Sequence, residues 1–117
     1  MNIHFQHKNV TLNDDLKQII SNRMKGMRKF FSPDVKAFID VERTRSSNNG
    51  NDLYCVSIKL QDAQYNYFTD DYQENIRKAF DEAYGELFRM VRNERSRSRV
   101  LARRASARIK NMFRRRK

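Results

Sequence analysis

Catalysis or metal binding in this chain would have to come from two histidines, one cysteine and a few neighbouring carboxylates. His4 and His7 flank Phe5, yet they form no His-x-x-x-His pair, there is no Cys-x-x-Cys, and no serine or cysteine sits in a recognisable triad pattern. Asp14-Asp15 and Asp70-Asp71 resemble paired carboxylates for acid–base work. Each pair also stands at the expected start of a helix, where capping accounts for it without chemistry. Cys55 is alone, so it makes no internal disulfide and reads as a small packing residue in a chain with no sign of an oxidising compartment. No enzyme and no cofactor is expected.

The chemistry that the residue types do support is contact with phosphate. Residues 95–117 read RSRSRVLARRASARIKNMFRRRK and hold eleven of the chain's twenty-five lysines and arginines, with none of its fourteen acids. That leaves fourteen cations against fourteen acids in residues 1–94, so the whole formal charge of +11 lies in the tail. Such a block repels itself and is either a solvated tail or an arm along a polyanion, whose phosphates would neutralise it. Leu101, Ala105, Ile109 and Met112 or Phe113 recur at steps of three and four, the spacing of a basic amphipathic helix. A tail that is disordered until a partner orders it satisfies the same pattern. An anionic membrane is the rival partner, but the apolar side is thin and relies on Ala102 and Ala105. No membrane contact and no small-molecule substrate is expected.

Phosphate-binding cations need a scaffold, and the first ninety-four residues supply one small domain with a modest core. Ile3 and Phe5 alternate with polar neighbours as in a strand. Asn13 caps a helix whose first turn is Asp14 and Asp15, with Leu12 as a staple. Leu16, Ile20, Met24, Met27 and Phe31 follow at helical steps, with Ile19 and Phe30 widening the stripe, and Gly26 weakens this helix slightly. Ser32-Pro33-Asp34 ends it. Ala37, Ile39 and Val41 mark a second strand, Ser46–Asp52 a hairpin turn with Asn49-Gly50 at its centre, and Tyr54, Val56, Ile58 and Leu60 a third strand. QYNYFT forms a short fourth strand with Tyr65 and Tyr67 on one side, either packing the sheet or stacking on bases. Asp70 or Asp71 then caps a long helix whose stripe is Ile76, Ala79, Phe80, Ala83, Leu87 and Met90 or Val91. The order is β-α-β-β-β-α, an α+β domain with a four-stranded sheet and both helices on one face.

On this scaffold Arg23, Lys25, Arg28 and Lys29 lie off the apolar stripe of the first helix and are candidate RNA contacts. Arg77 and Lys78 follow the start of the second, where they either touch phosphate or balance Glu74, Asp81 and Glu82. Arg89, Arg92 and Arg95, three apart, extend the basic arm along one helical side. Within the tail the candidates are Arg97, Arg99, Arg103 and Arg104, then Arg108 and Lys110, and finally Arg114, Arg115, Arg116 and Lys117.

Residues 1–94 resemble the ribosome hibernation promoting factors and the related ribosome-associated inhibitor A, small proteins of the bacterial stationary phase. The resemblance rests on the opening MNI, on NVTLNDDL leading into the first helix, on Arg23-Met24 followed by Met27, and on DYQENIRKAFDEAYGEL. In that last stretch Asp71, Tyr72, Gln73 and Ile76 occupy the places of the family's lead into its second helix. The resemblance implies a fold similar to a double-stranded RNA-binding domain, docked on the small ribosomal subunit and its rRNA where mRNA and tRNA would lie, so that translation is inhibited. Arg23, Lys29 and Arg89 fall where the family places RNA contacts. Glu82 and Gly85 stand where relatives often carry Lys or Arg, and the basic tail is a second departure. The alternative is a general RNA- or DNA-binding protein, an RNA chaperone acting through its tail. The start MNIHFQHKNV has no basic leader before an apolar run, and no stretch could cross a bilayer, so a cytoplasmic protein, monomeric when free, is expected.

Overall fold

A computed structural model of the chain describes residues 1–45 and 52–94. The elements follow in the expected order: β1 (Asn2–Lys8), α1 (Asp14–Lys25), β2 (Lys36–Arg45), β3 (Asp52–Gln61), β4 (Asn66–Gln73) and α2 over residues 76–94. They build one sheet in the spatial order β1-β2-β3-β4. β1 runs parallel to β2, a pairing that requires a crossover, and α1 provides it. β2, β3 and β4 form an antiparallel meander.

Register puts Ile3 and Phe5, then Ala37, Ile39 and Val41, then Val56, Ile58 and Leu60, then Tyr67 and Thr69 on one face. Both helices cover that face. Ile20 and Met24 of α1, and Ala79, Phe80, Ala83, Leu87 and Val91 of α2, are buried with the strand residues in one core. Each large aliphatic or aromatic side chain withdrawn from water here stabilises the fold by about 1.5–3 kcal/mol. Thr69 is the buried polar residue of the described core, and its hydroxyl donates to the Ala83 carbonyl at 3.0 Å, tying β4 to α2.

Asn13 caps α1 as expected, its side-chain oxygen accepting the Leu16 N–H at 2.7 Å, and Leu12 beside it is buried. The helix is shorter than its apolar stripe predicts. It ends at Gly26, and a single 3-10 turn, Arg28–Phe30, carries Phe30 into the core, while Phe31 turns edge-on to Tyr67. A Cβ on Gly26 would lie 3.1 Å from the Arg23 carbonyl oxygen, a tight contact within the last turn of α1 itself, and at an ordinary 3.5 Å from the Tyr84 hydroxyl of α2.

The expected cap of α2 is also corrected. Asp70 and Asp71 belong to β4, which is longer than QYNYFT because β3 extends opposite it, pairing Ser57 with Asp70 and Tyr54 with Gln73. The helix waits for the next residue able to cap, and Asn75 accepts the Lys78 N–H at 2.7 Å. The turn expected at Ser46–Asp52 falls outside the described residues save for Asp52, but Arg45 faces Asp52 in register as a hairpin requires. The tail stripe and the candidate cations Arg95–Lys117 also lie outside the described residues.

Candidate nucleic-acid interface

Two helices side by side give two rows of side chains pointing away from the sheet, and α2 lays down an aromatic ladder between them. Phe80, Tyr84 and Phe88 recur every four residues, with centroids 5.6 Å apart for the first pair and 6.1 Å for the second. Phe30 closes the ladder edge-on to Phe88 at 5.9 Å. Cations of both helices lie on these rings. The Arg23 guanidinium is 4.7 Å from the Tyr84 centroid, Lys29 Nζ is 5.3 Å from that of Phe30, and the Arg92 guanidinium is 5.8 Å from that of Phe88. A guanidinium held over a ring keeps its edge N–H groups for a phosphate.

Asp81 sits at the seam. Its Oδ1 is 3.7 Å from Arg23 and 3.6 Å from Arg77, ion-pairing distances too long for hydrogen bonds, and that oxygen is enclosed from solvent although the side chain as a whole is 42% exposed. One carboxylate thus draws arginines from α1 and α2 together. Lys78 pairs with Glu74 at 2.9 Å, one helical turn back. The hydrogen bond from Lys78 holds the Glu74 carboxyl below its usual range, and the same bond raises the Lys78 pKa. Arg77 and Lys78 thus carry ion pairs with Asp81 and Glu74 while each stays about half exposed.

The picture changes toward the ends of the helices. Lys25 and Arg89 are exposed with no ion pair among the described residues, and the Arg28 Nε–H donates to the Lys25 carbonyl at 3.1 Å. With Lys29 and Arg92 they make the basic end of the face, where cations also suit the negative ends of the helix dipoles. That is the end from which the chain passes into residues 95–117. In the middle of α2 Glu82 is exposed, and a Cβ on Gly85 would meet nothing within 4 Å, so this stretch is a gap in the basic surface.

The other candidates are dispersed. His4 lies on the open face of the sheet and His7 has the opposite parity. Asp70 and Asp71, as strand neighbours, point to opposite faces and are not a carboxylate pair. Among the described residues no group of three His, Cys, Asp or Glu could hold a metal ion, and no helix is long and apolar enough to cross a membrane. Tyr67 is buried under the helices with Tyr65 stacked on it at 6.2 Å, which assigns both to packing. Sequence reasoning missed Tyr84 and Phe88, although their four-residue spacing from Phe80 was there to be read. It also missed the exposed aromatics of the open face, Phe68 and Tyr72. The Tyr72 pKa is raised, chiefly by a hydrogen bond with Cys55, with the coulombic effect of Cys55, burial, and the charges of Asp70 and Glu42 adding to it.

The fold and this face define a small α+β domain that presents cations on aromatic supports along two adjacent helices. The family model described as Sigma 54 modulation protein / S30EA ribosomal protein matches residues 3–99, and the chain belongs to that family. Membership bears out the resemblance to the hibernation factors and makes the protein a ribosome-associated factor. Among solved structures it is similar to the Protein Y N-terminal domain of Thermus thermophilus, with TM-score 0.65, 13% identity, and coverage of 80% of this chain and 98% of that one. It is likewise similar to a ribosomal subunit interface protein of Coxiella burnetii, with TM-score 0.66, 12% identity, and coverage of 82% and 99%. At such identities these two likenesses speak for the fold. No curated protein matches the chain.

Proposed function

We propose that the protein is a cytoplasmic hibernation factor that binds the small ribosomal subunit in the channel for mRNA and tRNA and inhibits translation in stress or stationary phase. Residues 1–94 are the docking domain and 95–117 the electrostatic arm. The observation that carries this reading is the set of exposed cations at the C-terminal ends of the helices, Lys25, Arg28, Lys29, Arg89 and Arg92, with Lys29 and Arg92 brought onto the ring pair of Phe30 and Phe88. Held cations there fix orientation on rRNA, and the arm supplies attraction that a body without net charge lacks.

Competition on purified subunits tests it. The full chain should be displaced by mRNA together with initiator tRNA and should resist an excess of bulk RNA. Stripping by bulk RNA alone would instead mark a general RNA- or DNA-binding protein, the reading that the charge of the tail favours. Recovery on the large subunit would overturn both.

A further inference from the structure

The sheet face turned away from the helices has an ordered chemistry of its own. Register sets Phe38 of β2, Lys59 of β3 and Phe68 of β4 in one row across neighbouring strands. With strands about 4.8 Å apart, a ring, an ammonium and a ring alternate over roughly 10 Å. Phe68 is 58% exposed, Lys59 is exposed, and Phe38 is half-buried with His4 stacked on it at 5.1 Å. β2 and β4 both run antiparallel to β3 and so point the same way. Each ring is followed, two residues on and on the same face, by an exposed carboxylate: Asp40 after Phe38, Asp70 after Phe68. The same Phe-x-Asp element therefore stands on either side of Lys59.

An unpaired dinucleotide has a matching alternation of base, phosphate and base. Aromatic rings take bases by stacking whatever their identity, and the lysine between them takes the phosphate. On the far side of the row from the carboxylates lie Lys36 and the amides of Gln61 and Asn66, so a ribose-phosphate strand running there keeps clear of Asp40 and Asp70. A carboxylate only accepts, and it selects base edges that donate. Guanine offers N1–H and N2–H side by side, adenine and cytosine one amino group, and uracil one N–H between two carbonyls. We propose that this row is a binding site for two consecutive unpaired nucleotides of RNA, with guanine preferred on both rings. It lies on the opposite side of the sheet from the helices and does not rest on the function proposed above.

The test uses the full chain and labelled RNAs of about eight nucleotides, one all uridine and one with a central guanine pair, at salt high enough to suppress the tail's contribution. Fluorescence anisotropy should give the guanine RNA about tenfold tighter binding. Phe68→Ala should weaken it by about tenfold, Lys59→Gln should weaken both RNAs, Asp70→Asn should reduce the guanine preference, and Asp40→Asn with Asp70→Asn should erase it, both leaving the uridine RNA unaffected. Amide shifts on titration should cluster at Lys59, Phe68 and Thr69. Unchanged binding in Phe68→Ala and Lys59→Gln would overturn the site, leaving the RNA to the tail or the helices. Sedimentation in which the protein self-associates and Phe68→Ala separates it would also overturn it, making this face a contact between copies. Equal affinity for the two RNAs would overturn the guanine preference.

Discussion

On the helix-covered side of the sheet the rings lie beneath the cations, while on the open side they stand beside them. Arg23 rests on Tyr84, which is nearly buried, whereas Phe68 projects into solvent next to Lys59. A ring beneath a guanidinium is spent on holding it and serves the core as well. A ring beside an ammonium is left to meet a base. The same two residue types therefore suit phosphate on one face and nucleobase on the other, and geometry decides which.

The contrast is broken most sharply through stability. Tyr84→Ala should cost about 3–5 kcal/mol in urea unfolding, because it empties part of the core, while Phe68→Ala should stay within about 0.5 kcal/mol of the parent. Comparable losses in the two would mean that the open face is structural. Next comes the arm: if it neutralises six phosphates, removing residues 95–117 should flatten the salt dependence of small-subunit binding by a slope of about 4 to 5. An unaltered slope would leave the helix face as the whole anchor. Arg23→Gln should then lower small-subunit affinity by about tenfold, the scale of one lost charge-assisted contact, with no change in binding of the short RNAs proposed for the open face. Gly85→Ala should raise stability by about 0.5–1 kcal/mol, since the site is helical and open, and Gly85→Arg should raise subunit affinity by filling the basic gap.

The smallest effect concerns pH. Glu74, whose pKa is lowered, contributes stability that is complete above the ordinary carboxylate range and lost as pH falls through its lowered value. Lys78, whose pKa is raised, contributes stability that is complete below the ordinary lysine range and lost as pH rises through its raised value. The pair is therefore intact across neutral pH. Thermal melts of Glu74→Gln should show a shallower decline on the acid side than the parent; an identical decline would remove the pair from the account.

Much of the fold was legible because buried faces have periods. Ala37, Ile39 and Val41 alternate, and Ala79, Phe80, Ala83 and Leu87 recur at helical steps, so element order and the covered face could be read directly. Boundaries were not, because they depend on partners. Asp70 and Asp71 look like caps in sequence, but the ladder with β3 claims them first. Gly26 looked like a weak point within a helix, whereas it is the C-cap, its N–H turned back to the Arg23 and Met24 carbonyls before the 3-10 turn. For the interface, the cations were visible in sequence, yet what holds them was not. Asp81 linking two helices and Phe38 aligned with Phe68 are facts of register and packing, which no local pattern encodes.

The parallel pairing of β1 with β2 has a bearing on assembly. Asn2 must find Lys36, thirty-four positions later, whereas the meander closes through short connections. As the chain leaves its own ribosome, the first strand made would be the last to join the sheet, and at equilibrium the first to leave it. Native-state hydrogen exchange should find the amides of Ile3 to Gln6 opening ahead of those of Val56 to Leu60, and simultaneous opening would show instead that the sheet comes apart as one unit.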